Sequence, residues 1–336
     1  MAENAQQCRQ RSVVQVNYPV RLSNLPHLGP ECRRVQIEPH YGRYSGPKPS
    51  DADFQAIAEY LAGHPEIVFR VYGSDTVDNL EYLRFFRNHR RFEIDVFLLQ
   101  DFGGLRHLSE GLESLFLGAT KATLDLSFLQ GFKGLRELHL DGHRRNIQVL
   151  SALTNLEYLS LRSVTLKDLS VLLPLHKLLD LEIRLGGTRN LQPLGEIGRI
   201  RHLHLWRILG LSDLSPIGKV TTLQNLFLQA LPRVARLPEL THCMGLRRVV
   251  LYQMKGICSL EPLSTSTGLR ELAVLSMPHL TAKSFSPLSA LTGLERVDVW
   301  LRNKKKHSEI RKILGPAVSD KNGEFSSLLS ANFQYR

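Results

Sequence analysis

Nine copies of an L-x-x-L-x-L frame run through the middle of the chain. The first is Leu112-Glu-Ser-Leu115-Phe-Leu117, and the others begin at Leu135, Leu156, Leu178, Ile200, Leu223, Leu246, Leu269 and Leu294. The intervals are 23, 21, 22, 22, 23, 23, 23 and 25 residues. A near-constant period of this length is the mark of a stacked-repeat architecture, because one such unit cannot bury its own apolar face and must do so against its neighbours. The period-2 frame reads as a strand. Behind it, apolar residues recur every third position: Leu166, Leu169 and Leu172; Val234, Leu237 and Leu240; Ile257, Leu260 and Leu263. That spacing suits 3₁₀ or short helical turns, whose side chains align at i and i+3. Pro193, Pro216, Pro238, Pro262 and Pro287 punctuate the turns and disfavour long helices. Stacking predicts a parallel sheet with strands about 4.8 Å apart, the 3₁₀ segments lining its opposite side.

Segments such as Leu211-Ser-Asp-Leu-Ser-Pro-Ile217 and Leu288-Ser-Ala-Leu-Thr-Gly-Leu294 make the pattern resemble the leucine-rich-repeat family. The 22-residue class, with phosphatase-regulator and bacterial internalin repeats, is the most similar. The resemblance covers about residues 92–301, with weaker repeats upstream. It implies an α/β fold: a leucine-rich-repeat solenoid, or horseshoe, with a parallel β-sheet on the concave face, 3₁₀ or short helical turns on the convex face, and an α/β N-terminal cap. The family usually places Asn after the frame, where its side chain bonds loop backbone in a ladder. Here that position holds His143, Val164, Gly186, Ile208, Leu231, Met254 and Met277, so apolar packing is expected to substitute.

Open sheet edges at the ends of a solenoid need caps. Three regions follow: an N-terminal cap over 1–66 with strands and one helix, the solenoid over 67–301, and a C-terminal cap helix with a basic tail over 302–336. Ser12–Val16 and Arg34–Ile37 read as strands. Asp51–Ala62 reads as a helix started by Ser50 or Asp51 and stopped by Gly63. The loop Pro39–Pro49 joins them. Val68–Val71 and Phe92–Val96 are degenerate frames, and Val77, Leu80, Leu83 and Phe86 between them suit an amphipathic helix. At the other end Ser308–Leu314 is the expected capping helix, with Arg302-Asn-Lys-Lys-Lys306 just before it.

The formal charge is +11 over 336 residues, and its placement matters. Residues 1–50 carry +4, residues 302–336 carry +5, and the body between them only +2. No run approaches 18 apolar residues, which excludes a membrane-spanning helix, and the first residues have no secretory h-region. Four cysteines, Cys8, Cys32, Cys243 and Cys258, make no disulfide framework. A cytoplasmic protein is the expectation.

The frame leucines point inward, so the residues between them display three columns on the concave sheet. The middle column includes Phe116, His139, Ser160, Glu182, His204, Phe227 and Val250. The following column includes Arg162, Arg184, Trp206, Tyr252 and Trp300, and the preceding one Glu137, Tyr158, Asp180 and His202. Both tryptophans of the chain fall in one column. Exposed aromatics and Arg are the side chains enriched at interface hot spots. Candidate partner-binding residues are therefore Trp206, Phe227, Tyr252, Trp300, Arg162, Arg184, Glu182, Tyr158, His204 and Phe116. The competing reading packs these rings over neighbouring side chains, with Trp300 covering the last repeat.

Asp180 faces His202, and Glu182 faces His204, one repeat apart. A metal site would need them to converge, but i,i+2 side chains on a strand lie about 6–7 Å apart and run parallel. Cross-strand pairing that raises the histidine pKa values is the simpler expectation. Catalytic motifs are not found: Leu185-Gly-Gly-Thr188 is no phosphate loop, and Cys243 sits on an apolar turn position. The resemblance places enzymatic activity, where it occurs, on a separate catalytic domain. The expected function is non-enzymatic binding of another protein on the concave sheet, as regulator, inhibitor, immunity-type antagonist or scaffold. It needs no cofactor and no small-molecule substrate. The alternative is nucleic-acid association through the basic termini.

Overall fold

The computed structural model describes residues 12–40, 47–301 and 303–319. Cys8, positions 41–46 of the Pro39–Pro49 loop, Arg302 and the tail from 320 lie outside the described residues. The chain divides between Ser160 and Leu161 into two compact units.

In the first unit six parallel strands follow one another in chain order: β1 (Val13–Val16), β2 (Arg34–Ile37), β3 (Val68–Gly73), β4 (Arg91–Val96), β5 (Ser114–Leu117) and β6 (Glu137–Asp141). The division falls within β7 (Tyr158–Arg162). In the second unit β8 (Asp180–Arg184), β9 (His202–Trp206), β10 (Asn225–Gln229), β11 (Arg248–Tyr252), β12 (Glu271–Leu275) and β13 (Arg296–Trp300) are likewise parallel and in chain order. 3₁₀ turns join most consecutive strands, and the frame leucines between sheet and turns form the core.

Helix α1 (Asp51–Tyr60) opens on a capping box in which Ser50 and Asp53 bond each other's backbone. Its Phe54 stacks on Tyr82 at 4.3 Å between centroids, and Phe69 stacks on Phe86 at 4.6 Å. The helix expected over Val77–Phe86 is instead a 3₁₀ turn at Glu81–Phe85. The physical reason lies in the spacing: Val77, Leu80, Leu83 and Phe86 recur every third residue, which matches three residues per turn rather than 3.6.

The second unit repeats one local solution at every strand exit. Ser163, Leu185, Arg207, Ala230, Gln253 and Ser276 all take a left-handed φ between 48° and 56°. Each donates its N–H to the carbonyl of the last residue in the next strand, for example Leu185 to Trp206 and Ala230 to Tyr252, both at 2.9 Å. A left-handed conformation is costly for a side-chain-bearing residue, and here each one is held by a repeat-to-repeat bond. The residue after it then points inward. Val164, Ile208, Leu231, Met254 and Met277 are fully buried, so the apolar ladder expected in place of asparagine is present. At the same position Gly186 lies so close to its neighbour that a β-carbon would stand 2.3 Å from the Val164 carbonyl oxygen.

Short side-chain-to-backbone turns lead into the 3₁₀ segments. Asp168 accepts from the Ser170 N–H at 2.8 Å, and Asn190 and Asp213 from Gln192 and Ser215 at 2.9 Å. Pro193, Pro216 and Pro262 sit in the first two turn positions, where no backbone donor is required. The terminal helix α2 (Lys304–Leu314) begins four residues before the expected start, because Asn303 caps it by accepting from the Lys306 N–H at 3.0 Å. The lysine cluster is thus the first helical turn rather than a linker ahead of it. Lys306 spans back to the carbonyls of Pro278 and Leu280, at 2.6 and 2.8 Å.

Candidate protein-binding face

Parallel register aligns the solvent-facing side chains of the second unit in three rows. The first is Asp180, His202, Asn225, Arg248, Glu271 and Arg296; the middle is Glu182, His204, Phe227, Val250, Ala273 and Asp298; the third is Arg184, Trp206, Gln229, Tyr252, Leu275 and Trp300. These are the columns expected from the frame.

Their exposure differs from expectation. Most of the middle row is buried although it lies on the open side of the sheet: Phe227 is 4% exposed, Val250 and Ala273 1%, His204 7% and Glu182 6%. Phe227, Val250, Ala273 and Leu275 form an apolar cluster of their own, and Tyr252 and Trp300 pack against it half-buried. Adjacent rows lie about 6–7 Å apart along each strand, within reach of long side chains in the outer rows leaning over the short or apolar ones between them. Phe227 and His204, expected to face a partner, are instead buried among their neighbours on the open side of the sheet. Trp206, Tyr252 and Trp300 in the third row are half-buried. Trp300 packs against this cluster from the last strand.

Ion pairs bind the charged residues to one another. The Glu182 carboxylate lies 3.2 Å from the Arg184 guanidinium, and Arg248 pairs with Glu271 at 2.6 Å. His202 reaches Asp180 at 3.6 Å as expected, and its ring also contacts the Asn225 amide at 2.6 Å. The raised pKa expected for His204 is corrected: burial pushes the ring down to about 3, and the nearby Arg184 charge adds to the effect. The imidazole is a neutral packing element whose ring meets that of Phe227.

In the first unit Phe116 and Tyr158 are half-buried and flank His139, with ring centroids 5.5 and 4.6 Å away. Arg162, at the end of β7, is exposed. Charges near Glu137 are paired internally: Arg91 lies 3.3 Å from Glu137, and Arg136 lies 2.8 Å from Glu157. A ladder that sequence reasoning missed runs upstream, where Arg34 and Arg70 share Glu93 at 2.7 and 3.4 Å and Arg70 also meets Asp95 at 3.2 Å. The signal was available in the alternation of Arg70, Glu93 and Asp95 on adjacent degenerate frames.

Cys243 is buried and its thiol is pushed up to about 11 by burial, while Cys258 is exposed. No described helix is long and apolar enough to cross a membrane.

No protein-family model and no curated protein matches the sequence. Among solved structures, the chain is similar to an internalin (inlF) of Listeria monocytogenes, at 15% identity and a TM-score of 0.49 over 80% of this chain and 89% of that one. A leucine-rich-repeat protein of Leptospira interrogans gives 15% identity and a TM-score of 0.48 over 89% and 93%. An internalin C2 of L. monocytogenes gives 19% and 0.38 over 75% and 84%. With strand, left-handed exit and 3₁₀ turn repeated on an L-x-x-L-x-L frame, the chain has a leucine-rich-repeat fold.

Proposed function

We propose that the protein is a non-enzymatic, cytoplasmic binding protein that grips a partner protein on the open face of its second-unit sheet. The observation that carries this reading is the third-row set of half-buried rings Trp206, Tyr252 and Trp300, of which Tyr252 and Trp300 pack on the solvent-side apolar cluster of Phe227, Val250, Ala273 and Leu275. Rings already held in place by packing lose little conformational freedom on binding, which favours them as anchors. Arg184, Glu182 and Arg248 sit alongside in ion pairs, so a partner meets fixed charges that discriminate by orientation. In the first unit Phe116 and Tyr158 are half-buried candidates considered by themselves, and Arg162 is an exposed candidate at the end of β7. A thiol raised by burial at Cys243 and a neutral buried His204 are poised for packing rather than chemistry. The exposed free thiol of Cys258 fits a reducing compartment. Activity then consists of occupying the partner, as regulator, inhibitor or scaffold.

A tagged pull-down from source cells tests this, comparing wild type with the Trp206→Ala/Tyr252→Ala variant after both are shown to be folded. A stoichiometric protein lost only in the variant supports the reading. Equal recovery rejects the aromatic anchor.

A further inference from the structure

The near-neutral body conceals a segregation of charge. The six loops that leave the strands of the second unit, at 163–169, 185–191, 207–214, 230–237, 253–260 and 276–283, hold seven Lys/Arg and two carboxylates. The turn segments returning to the strands, 170–179, 192–201, 215–224, 238–247, 261–270 and 284–295, hold six and four. Both carboxylates of the first set, Asp168 and Asp213, accept from backbone amides of their own turns. None of the seven cations takes an ion pair among the described residues, and all seven are exposed.

The strand-exit bonds hold these loops in register along one edge. Ser163 bonds Arg184, Arg207 bonds Gln229, and Gln253 bonds Leu275, each at 2.8–2.9 Å. Six loops at about 4.8 Å per repeat make a rim of about 24 Å. The Lys306 bonds to Pro278 and Leu280 set the first turn of α2 against the last of these loops. Exposed Lys304 and Lys305 thereby extend the row.

We propose that this rim binds the phosphodiester backbone of single-stranded nucleic acid without selecting bases. Seven exposed cations without ion pairs on adjacent loops, against two carboxylates engaged by their own turns, complement a linear polyanion better than they do the mixed charge of an ordinary protein surface. A flexible single strand can follow a narrow loop edge. The six loops contain no Phe, Tyr or Trp on which a base would stack, so binding is electrostatic and indifferent to sequence. The inference stands apart from the open-face reading and uses different residues.

The test measures fluorescence anisotropy of labelled U20 RNA with the full chain between 50 and 200 mM salt. About four phosphate contacts predict a loss of about 50-fold in affinity over that range, with similar values for A20. The exposed R233E/R236E/K255E variant should bind at least about tenfold more weakly at 50 mM salt, with a shallower salt slope. The R199E/K219E/R247E variant changes charge equally on the opposite edge and should bind nearly as wild type. Should the rim variant fail to fold by circular dichroism, R233Q/R236Q/K255Q replaces it. Equal losses in rim and opposite-edge variants overturn the proposal. So does tighter binding of 20-residue poly-L-glutamate than of U20 at the same salt, which would make the rim a site for an acidic protein segment.

Discussion

The imidazole of His204 meets the ring of Phe227 at 4.2 Å between centroids, with their planes 63° apart. Two side chains on the solvent side of a sheet thus pack as core residues do, edge towards face, which is the favourable arrangement for aromatic quadrupoles. What covers them decides both stability and the shape offered to a partner.

His204 should couple stability to acid. Its ring is held at about 3, and burial pushes His89 of the first unit down to about 4. From about pH 6.5 down to those values the unfolded chain binds protons that the folded chain refuses. Stability therefore falls as pH drops through this window. Urea unfolding from pH 7.5 to 4 should show that decline, with a shallower slope in His204→Phe. Identical slopes would place the acid sensitivity elsewhere.

Phe227→Ala should destabilise by about 3–5 kcal/mol, the range for an aromatic removed from a packed interior. Trp206→Ala, from a half-buried site, should cost less. Denaturant midpoints of the two variants, measured at equal slope, separate a buried structural ring from a half-buried one.

Left-handed exits invert the usual effect of glycine. Ala230 has a φ of 48°, so Ala230→Gly should be neutral or stabilising by up to about 1 kcal/mol. Ala273→Gly, in the buried interior of β12, should destabilise by about 0.5–1 kcal/mol. Thermal melts of the pair provide the comparison.

Gly186 should tolerate no side chain. A β-carbon there meets the Val164 carbonyl at 2.3 Å, and Gly186→Ala should cost about 1–3 kcal/mol through the backbone shift it forces. Its melting temperature against wild type measures this.

The repeat frame made the strands, their register and the inward leucines legible, because a period-2 pattern at fixed intervals admits one stacking. It also made the three rows legible, Trp206 and Tyr252 in one and Phe227 in another. Exposure within a row was not legible. Alternation says which side of the sheet Phe227 occupies, but whether its neighbours in the flanking rows lean over it depends on side-chain size across four strands. The same limit applies to His204, whose expected pairing with Glu182 supposed a solvated site. The start of α2 was misplaced because Asn303 caps a turn made of three lysines, a poor helix opening by charge, and Lys306 is drawn to carbonyls in the preceding loop. The basic rim escaped attention because net charge was summed along the chain rather than by edge.

The most direct test of the open-face claim places a photo-crosslinking residue at Gln229, between Trp206 and Tyr252 in the third row, and another at Lys219 on the returning edge. Irradiation in source cells should yield one crosslinked protein from position 229 and none from 219, and Trp206→Ala/Tyr252→Ala should abolish the product. A partner crosslinked from 219 and absent at 229 would contradict binding on the open face.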